Sequence, residues 1–378
     1  MPPITAVQLL SGNYINDSIR KFAVFSLQQT PYLEIIDYLP QLVQSLKYEV
    51  YHDSPLADYL LKLAIKYPFT IGHQLFWNFK AEMCNPNCEQ RFGLLLTVFL
   101  DKISKDIREI LQDEVWLVES LLKVPDIAFI KKLSKEKKDA LMSEALEKIN
   151  KGFNGRVISI PYNFKLRVKG IRVNKCKFMK SKKKPLWLVF ENADISKEDI
   201  YVMFKKGDDL RQDVLTLQLF KIMQNMWFNE GLRVKMSIYN VISTGYFEGL
   251  LQIVTNSETL ATIHKEHGGL TLGFSEKPLK EWMVKTITNI TEREYTNNFL
   301  MSSAAYCVAT FVLGIGDRHN DNIMLKKNGE LFHIDFGHFL GHFKYKFGIK
   351  RERAPFVFTS EFCHVLGGSI SSKYLSIT

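Results

Sequence analysis

An Asn328-Gly329 pair between two apolar runs is the feature that most restricts how this chain folds. Asn-Gly flanked in this way is a strong signal for a β-hairpin with a two-residue turn, because both central residues of that turn need positive φ. With the turn centred on this pair, Asn322 lies directly opposite Asp335, with Cβ atoms about 5 Å apart. We therefore expect a hairpin whose open end carries these two side chains.

Both residues belong to polar segments. Asn322 ends the run Gly-Ile-Gly-Asp-Arg-His-Asn-Asp-Asn, and Asp335 lies within His-Ile-Asp-Phe-Gly. An amide oxygen beside a carboxylate is a pair of hard oxygen donors suited to Mg²⁺ and substrate phosphate. Asp317 and His319 are placed just upstream to handle a hydroxyl proton. This arrangement predicts a phosphoryl-transfer site.

Each element also has a plainer interpretation. Asp-Arg-His alone is equally a turn with local side-chain hydrogen bonds, and Asp-Phe-Gly an ordinary strand exit. A hairpin that joins the two elements favours function over coincidence. His319 and His338 are both candidate general bases, since imidazole titrates near neutrality. His333, inside the second strand, is taken as structural.

Size and charge restrict the class of protein. The 378 residues are 46 % apolar, which is enough for two domains with buried cores. A net charge of +10 favours nucleic acid, phosphate-bearing ligands or acidic membranes as partners. No apolar run in the sequence approaches the roughly 20 residues of a membrane span. Five scattered cysteines predict free thiols, so we expect a soluble intracellular protein.

The hydrophobic pattern changes once along the chain. Residues 1–150 show helical spacing, with helix pairs at intervals typical of a HEAT- or armadillo-like solenoid. Later residues show short strand-like runs, then a helix, two further strands and more helix. The strand-like runs are residues 157–160, 165–168, 186–190, 200–204, 234–242 and 250–254. We predict an α+β protein: an all-helical solenoid domain, then a bilobal kinase-like domain with a β-rich N-lobe and a helical C-lobe.

Three basic features are ambiguous by themselves. Lys205 at a strand end is able to neutralise a phosphate or is simply an exposed edge lysine. The turn at residues 179–187, with a serine and several lysines, is a phosphate cradle or a solvated loop. The basic, aromatic segment 341–355 is a solvated face, a weak nucleic-acid patch or, because it follows Asp-Phe-Gly, an activation loop.

Three motifs together resemble phosphoinositide 3-kinases. They are Gly-Asp-Asp-Leu-Arg-Gln-Asp at residues 207–213, Leu-Gly-Ile-Gly-Asp-Arg-His at 313–319 and Leu-Phe-His-Ile-Asp-Phe-Gly-His at 331–338. The loop at 347–356 is similar to that of class I catalytic subunits, close to the beta and delta members. Segments 42–49 and 91–96 resemble the family's helical domain. The resemblance covers residues 5 to 368 and implies a helical domain at 1–150 and a kinase domain at 151–378, with its N-lobe at 156–254 and C-lobe at 255–378.

The resemblance also implies an activity and its residues. The family transfers the γ-phosphate of ATP to the 3-hydroxyl of phosphatidylinositol lipids and uses Mg²⁺. By matching position, His319 is the general base, assisted by Asp317 and His338, and Lys205 touches the α-phosphate. Asn322 and Asp335 hold metal. The implied nucleotide contacts are Met179, Ser181, Lys183, Trp187, Met203, Lys205, Asp213, Tyr239, Gln252, Ile253, Val254, Met324 and Ile334.

One conflict arises from these assignments. In a hairpin with a two-residue turn, ideal alternation puts Met324 and Ile334 on opposite faces, whereas the resemblance places both at adenine. Strand twist or a bulge near Asp335 is able to reconcile the two.

Charge predicts the lipid. Two basic blocks in the activation loop suit an inositol that already carries phosphates at positions 4 and 5. They consist of Lys344, Lys346, Lys350, Arg351 and Arg353. We therefore expect phosphatidylinositol 4,5-bisphosphate as substrate, a cytoplasmic protein recruited to the cytosolic face of the plasma membrane, and no nucleic-acid or transmembrane function. The family implies a regulatory subunit with SH2 domains in the full-length protein.

We also expect the chain to be a fragment. It begins inside the family's helical domain, without the adaptor-binding, Ras-binding and C2 regions, and stops before the C-terminal helices that complete the lower lobe. Two rival hypotheses follow: a serine/threonine protein kinase of the same superfamily, or a non-catalytic binding module.

Overall fold

A computed structural model describes residues 1–267, 277–341, 345–346, 349–350 and 358–368. Contacts divide the chain into two compact units. The first contains residues 1–214 and 240–253, and the second residues 215–239 and the described residues from 254 onward. The domain boundaries expected from the sequence stay predictions. Among the described residues, no helix is long and apolar enough to cross a membrane.

The first unit begins with an all-helical region, as predicted. Its helices are α1 Pro3–Leu9, α2 Asp17–Gln28, α3 Tyr32–Ile35, α4 Leu39–Ser45, α5 Pro55–Lys66, α6 His73–Glu82, α7 Glu89–Lys102, α8 Lys105–Leu121 and α9 Lys135–Gly152. We call residues 1–152 the helical domain. The Asn16 side chain caps α2 by accepting from the Ser18 N–H at 2.9 Å, and Ser54 caps α5 in the same way. Side-chain oxygens stabilise helix starts because the first N–H groups have no partner within the helix.

An antiparallel sheet follows in the same unit. Its strands are β1 Ile158–Ile160, β2 Asn163–Ile171, β3 Lys177–Phe178, β4 Leu186–Asn192, β5 Ile200–Lys206, β6 Val241–Gly245 and β7 Glu248–Gln252. Their order is β1-β2-β4-β5-β7-β6, and β3 pairs with β4. The strand predicted at residues 234–242 is wrong over most of its length, because residues 232–240 are not in a strand. There the Met236 N–H bonds to the Gln224 side chain instead, at 2.7 Å.

One face of this sheet shares an apolar core with the helical domain. Val202, Phe204 and Leu250 are fully buried in the same cluster as Phe79 and Phe99 of the helices. Successive strand residues point to opposite faces, so Met203 and Lys205 lie on the other face. The first unit is therefore a helical region and a sheet built around one core, and the predicted solenoid arrangement of the helices stays a prediction.

The second unit is mainly helical. Helix α10 (Arg211–Asn229) begins in the first unit and ends in the second. Its other elements are β8 Ser257–Thr259, α11 Leu260–His267, α12 Pro278–Thr286, α13 Glu292–Val312, β9 Ile323–Lys326, β10 Leu331–His333, β11 Tyr345–Lys346, β12 Ile349–Lys350 and α14 Ser360–Val365. Thr291 and Glu294 form a reciprocal capping box at the start of α13. The α+β class, with a helical domain followed by an antiparallel sheet and a mainly helical unit, is confirmed.

The predicted hairpin is present, but its register differs from the expected one. β9 and β10 pair Met324 with Phe332 and Ile323 with His333. The Lys326 N–H bonds to the Glu330 carbonyl, so the loop has three residues, 327–329, and only Gly329 has positive φ, at +86°. This is the common three-residue hairpin loop, a type I turn followed by a left-handed residue. Asn322 is therefore opposite Ile334, not Asp335.

Gly329 offers a direct test of this loop. A Cβ at this position would lie 2.8 Å from the Cβ of Tyr295 and also meet the Tyr295 carbonyl oxygen. We expect Gly329→Ala to lower the free energy of unfolding by roughly 2–4 kcal/mol, because strain at positive φ adds to this clash. Gly231→Ala is the matched control: φ is +80° there and the space is open. It should cost only about 1 kcal/mol. Equal losses in thermal unfolding would contradict the tight packing at Gly329.

Candidate active site

Two loops of the second unit meet around the Arg318 guanidinium. It donates to the carbonyls of Gly316 (2.9 Å) and Ile334 (2.8 Å) and to that of Asp335. Its carbon lies 5.5 Å from the centre of the Phe336 ring. Arginine offers five donors in a rigid fork, so one side chain is able to hold several carbonyls. Arg318 thus joins the polar loop at 314–322 to the segment that follows β10.

The two aspartates in these loops have unusual backbone conformations. Asp317 has φ +55° and Asp335 has φ +64°. Positive φ is uncommon outside glycine and costs energy, although Asp and Asn tolerate it best. Strain of this kind concentrates at functional sites because the surrounding structure must maintain it. Here the Gly316 N–H donates to the His338 carbonyl at 2.8 Å, which ties the same two loops together again.

Asn322 closes the first loop. Its Oδ1 accepts from the His319 N–H at 2.9 Å, and its Nδ2 donates to the Asp317 carbonyl at 2.6 Å. The Ile334 N–H donates to the Asn322 carbonyl at 3.0 Å, which extends the hairpin by one pair. The predicted cross-strand pairing of Asn322 with Asp335 is wrong, because the three-residue loop shifts the register by one. Asp335 is the first residue beyond the ladder, and its positive φ turns the chain away from it.

The shifted register removes the conflict over adenine. Met324 pairs with Phe332, and Ile334 is opposite Asn322, so Met324 and Ile334 now share one face of the hairpin. No twist or bulge is needed to reconcile the two residues. Their contact with adenine stays a prediction.

The donor set suits Mg²⁺ in kind. Asp335 presents an exposed carboxylate and Asn322 a buried amide, and both supply hard oxygen atoms. Mg²⁺ is usually bound by one or two protein carboxylates plus substrate phosphates and water, not by a full protein cage. Among the described residues, no group of three or more His, Cys, Asp or Glu side chains is positioned to bind a metal.

The histidines differ in environment. The His319 side chain is 43 % exposed, and its Nδ1 lies 3.3 Å from the Asp321 backbone N and 3.6 Å from the Asp321 carboxylate. His338 is half-buried. His333 packs on Tyr306 with ring centres 4.7 Å apart; burial, and secondly the charge of Arg318, hold the pKa of His333 well below its ordinary value. A neutral, enclosed imidazole fits the structural role expected for His333.

The N-lobe sheet brings several predicted nucleotide contacts together. Trp187 pairs with Met203 across β4 and β5, so these side chains and Lys205 lie on the face opposite the shared core. Met179 follows β3, and its N–H donates to the Pro185 carbonyl at 2.9 Å, which closes the loop between β3 and β4. We call residues 179–185 the phosphate loop. Ser181 and Lys183 are exposed on it.

The other predicted contacts lie at the end of β7, in the first turn of α10 and in the second unit. Gln252 ends β7, the Ile253 N–H donates to the Tyr201 carbonyl at 3.2 Å, and the chain enters the second unit at Val254. Asp213 is buried in the first turn of α10. Tyr239, in the second unit, is also buried.

Most of the predicted lipid-binding residues cannot be placed. Lys344, Arg351 and Arg353 lie outside the described residues. Only the backbone is described for the other two: Lys346 pairs with Ile349 and Lys350 with Tyr345 in the β11–β12 ladder.

Two family models match this chain. Residues 199–376 match phosphatidylinositol 3- and 4-kinase, and residues 1–112 match the phosphoinositide 3-kinase family accessory domain (PIK domain). The chain contains a phosphoinositide 3-kinase accessory domain and a phosphatidylinositol 3- and 4-kinase catalytic domain.

Individual relatives agree. Phosphatidylinositol 3-kinase 1 of Dictyostelium discoideum is 44 % identical over 380 residues, which is 99 % of this chain and 24 % of the relative. Phosphatidylinositol 3-kinase 2 of the same organism is 41 % identical over 377 residues, 99 % of this chain and 20 % of the relative. Human phosphatidylinositol 4-phosphate 3-kinase C2 domain-containing subunit beta is 42 % identical over 368 residues, which is 96 % of this chain and 22 % of the relative. The chain thus spans about a fifth to a quarter of the length of these curated relatives.

One contact network of this chain was not expected from its sequence. The Asn320 side chain bonds to Nδ1 of His264 at 3.0 Å, and Nε2 of His264 to the Glu361 carboxylate at 2.7 Å. Glu361, on α14, also accepts from the Leu279 N–H at 3.0 Å. The neutral tautomer with hydrogen on Nε2 satisfies both contacts of the imidazole. The network links the loop around His319 to α14, and sequence spacing carries no signal for it.

Proposed function

We propose that this chain transfers the γ-phosphate of ATP to the 3-hydroxyl of a phosphatidylinositol lipid, with phosphatidylinositol 4,5-bisphosphate as the preferred acceptor. The observation that carries the proposal is the pair of strained loops, with Asp317 and Asp335, held together by Arg318. Such strain needs a compensating structure, and three donated hydrogen bonds supply it. The match of residues 199–376 to phosphatidylinositol 3- and 4-kinase also supports the proposal, because kinases of that family phosphorylate inositol lipids.

Each residue type has a role in this reaction. His319 accepts the proton of the attacking hydroxyl, the new bond forms between that oxygen and the γ-phosphorus, and the bond to the β-phosphate oxygen breaks to release ADP. The Asp321 carboxylate lies 3.6 Å from Nδ1 of His319. Lys205 and Lys183 neutralise phosphate charge. Asn322 and Asp335 would hold Mg²⁺, which supplies charge stabilisation on the transferring phosphoryl group.

Acceptor choice rests on the charge of the activation loop. Its five basic residues favour an inositol with two monoester phosphates, each carrying about −1.5 to −2 charges. The human relative is named for phosphatidylinositol 4-phosphate, so this lipid is the second acceptor to compare. We also propose a cytoplasmic protein that reaches the cytosolic face of the plasma membrane as a peripheral protein, together with a regulatory subunit that carries SH2 domains. A surplus of positive charge is attracted to that anionic leaflet.

The test is a transfer assay with three acceptors. The purified chain is incubated with γ-labelled ATP, Mg²⁺ and vesicles of phosphatidylinositol, its 4-phosphate or its 4,5-bisphosphate, and the position of the label on the inositol is determined. Labelled 3-phosphate, greatest on the bisphosphate, is expected. Label on added protein instead of lipid would show a protein kinase. ATP binding without transfer to any acceptor would show a non-catalytic module.

The lipid preference has its own prediction. The double variant Lys344→Gln with Lys346→Gln should lower kcat/KM for the bisphosphate roughly tenfold, because removing two charges near the phosphates weakens charge-assisted hydrogen bonds. The loss on unphosphorylated phosphatidylinositol should be several times smaller. Lys265→Gln with Lys285→Gln, exposed on α11 and α12, gives the same net charge and should leave the ratio unchanged. Equal losses on both lipids would refute the charge argument.

A further inference from the structure

Two pairs of adjacent lysines occur where the nucleotide phosphates are expected. In each pair, one member is a proposed phosphate contact, Lys183 or Lys205. The other member, Lys184 or Lys206, bonds to the helical domain instead. Both anchoring lysines reach residues 122–129, the segment between α8 and α9.

The second pair lies at the end of β5. Nζ of Lys206 donates to both carboxylate oxygens of Asp126 at 2.7 Å and to the Leu122 carbonyl at 3.1 Å. Lys206 extends the face of the strand that includes the buried Val202 and Phe204. Because neighbouring strand residues point to opposite faces, a bond that fixes Lys206 toward the helices fixes Lys205 toward the Met203 and Trp187 side.

The first pair lies in the phosphate loop. Lys184 has φ +45°, and its Nζ donates to the Ala128 carbonyl at 2.9 Å and lies 5.1 Å from the centre of the Phe129 ring. A left-handed lysine is strained and requires support from the surrounding structure. Nζ of the neighbouring Lys183 donates to the Gly207 carbonyl at 2.6 Å. The loop conformation that presents Lys183 is therefore maintained from the helical domain.

A third contact reaches the start of α10. Arg211 approaches Glu82 of α6 at 3.3 Å, and its guanidinium also binds Asp209 at 2.7 Å. Glu82 is 3 % exposed and accepts from Gln44 at 2.6 Å and Lys47 at 2.5 Å. Burial alone would raise the pKa of Glu82, but these hydrogen bonds and the charges of Lys47 and Arg211 hold it below its ordinary value. Glu82 is thus a charged, buried anchor for the segment 207–213.

We propose that the helical domain forms part of the nucleotide site, with Lys184, Lys206 and Arg211 as positioning residues that aim the phosphate-binding groups. The inference rests on the proposed binding of ATP. It assigns to the helical domain a contribution to phosphate recognition, separate from its share of the common core. Loss of these anchors should therefore weaken binding of the triphosphate without weakening binding of the nucleoside.

The experiment compares MgATP and adenosine as ligands of the same proteins by calorimetry. The variants are Lys184→Met with Lys206→Met, and the conservative pair Lys184→Arg with Lys206→Arg. The matched control is Lys197→Met, which removes an exposed ion pair with Asp194 in the β4–β5 loop. Methionine keeps most of the side-chain length and removes the charge, whereas arginine keeps the charge.

We expect the methionine pair to raise the dissociation constant for MgATP roughly tenfold. This fold-change corresponds to the free energy of about one charge-assisted hydrogen bond. Adenosine affinity should change less than twofold, and the arginine pair should recover most of the MgATP affinity. Parallel weakening of both ligands, or unchanged MgATP affinity, would overturn the inference. A wild-type chain that binds adenosine but not MgATP would overturn it as well. If the wild type binds neither ligand, the proposed function fails and the inference fails with it.

Discussion

Asp335→Asn is expected to lower lipid phosphorylation on the order of 10³-fold while leaving the fold intact. The change removes the negative charge that would face the metal and keeps the size of the side chain. Asn tolerates positive φ as Asp does, so the backbone at φ +64° should persist. The measurement is the initial rate of 3-phosphorylated lipid against Mg²⁺ concentration at fixed ATP. We expect a lower maximum rate and a higher Mg²⁺ requirement.

The thermal midpoint should stay within about 2 °C of wild type, because the Asp335 side chain is exposed and its removal exposes no core. Glu281→Gln, an exposed carboxylate on α12, removes the same charge elsewhere in the second unit and should keep wild-type rates. An Asp335→Asn protein with more than a tenth of wild-type activity would mean that this carboxylate does not serve the reaction.

Arg318→Lys should have the second-largest effect, roughly a 100-fold loss in kcat. A single ammonium group cannot reproduce a fork that reaches the carbonyls of Gly316, Ile334 and Asp335. Some of these carbonyls then lose their hydrogen-bond donor, which should lower the free energy of unfolding by roughly 2 kcal/mol. The loops that carry Asp317 and Asp335 should loosen, while KM for ATP changes only a few-fold.

The diagnostic result is the separation of kcat from KM, measured in the lipid assay alongside thermal unfolding. Arg293→Lys is the matched control, since Arg293 is exposed on α13. It should leave both parameters and the unfolding midpoint unchanged. A lysine variant with normal kcat and only reduced stability would restrict Arg318 to a structural role.

Periodicity and motifs predicted which segments form helices and strands. They did not predict local conformations that depend on contacts with residues distant in the sequence. The hairpin was expected from Asn328-Gly329, yet its loop has three residues. Tyr295 crowds Gly329, and the Asn298 side chain donates to the Asn328 carbonyl at 2.8 Å. Both contacts come from α13, which local turn statistics do not include. The one-residue change in register then determined which residue faces Asn322.

The same reason explains the other differences. Residues 232–240 have strand-like composition, but the Ser237 carbonyl accepts from the Tyr306 hydroxyl at 3.3 Å instead of joining a ladder. Arg318 was part of a recognised motif, and its five donors were the signal that could have identified it as the residue that joins two loops. The bond between Lys206 and Asp126 joins residues 80 positions apart, and no spacing rule predicts it.

The single apolar interior of the first unit has a practical consequence. Because Phe204 and Leu250 are buried in the same apolar cluster as Phe79 and Phe99, cutting the chain near residue 150 would expose apolar strand surface to water. The residues after the helical domain therefore do not fold independently of it, and either part expressed alone should be insoluble. A substitution in this shared core should have to be accompanied by a compensating change in both the helices and the sheet.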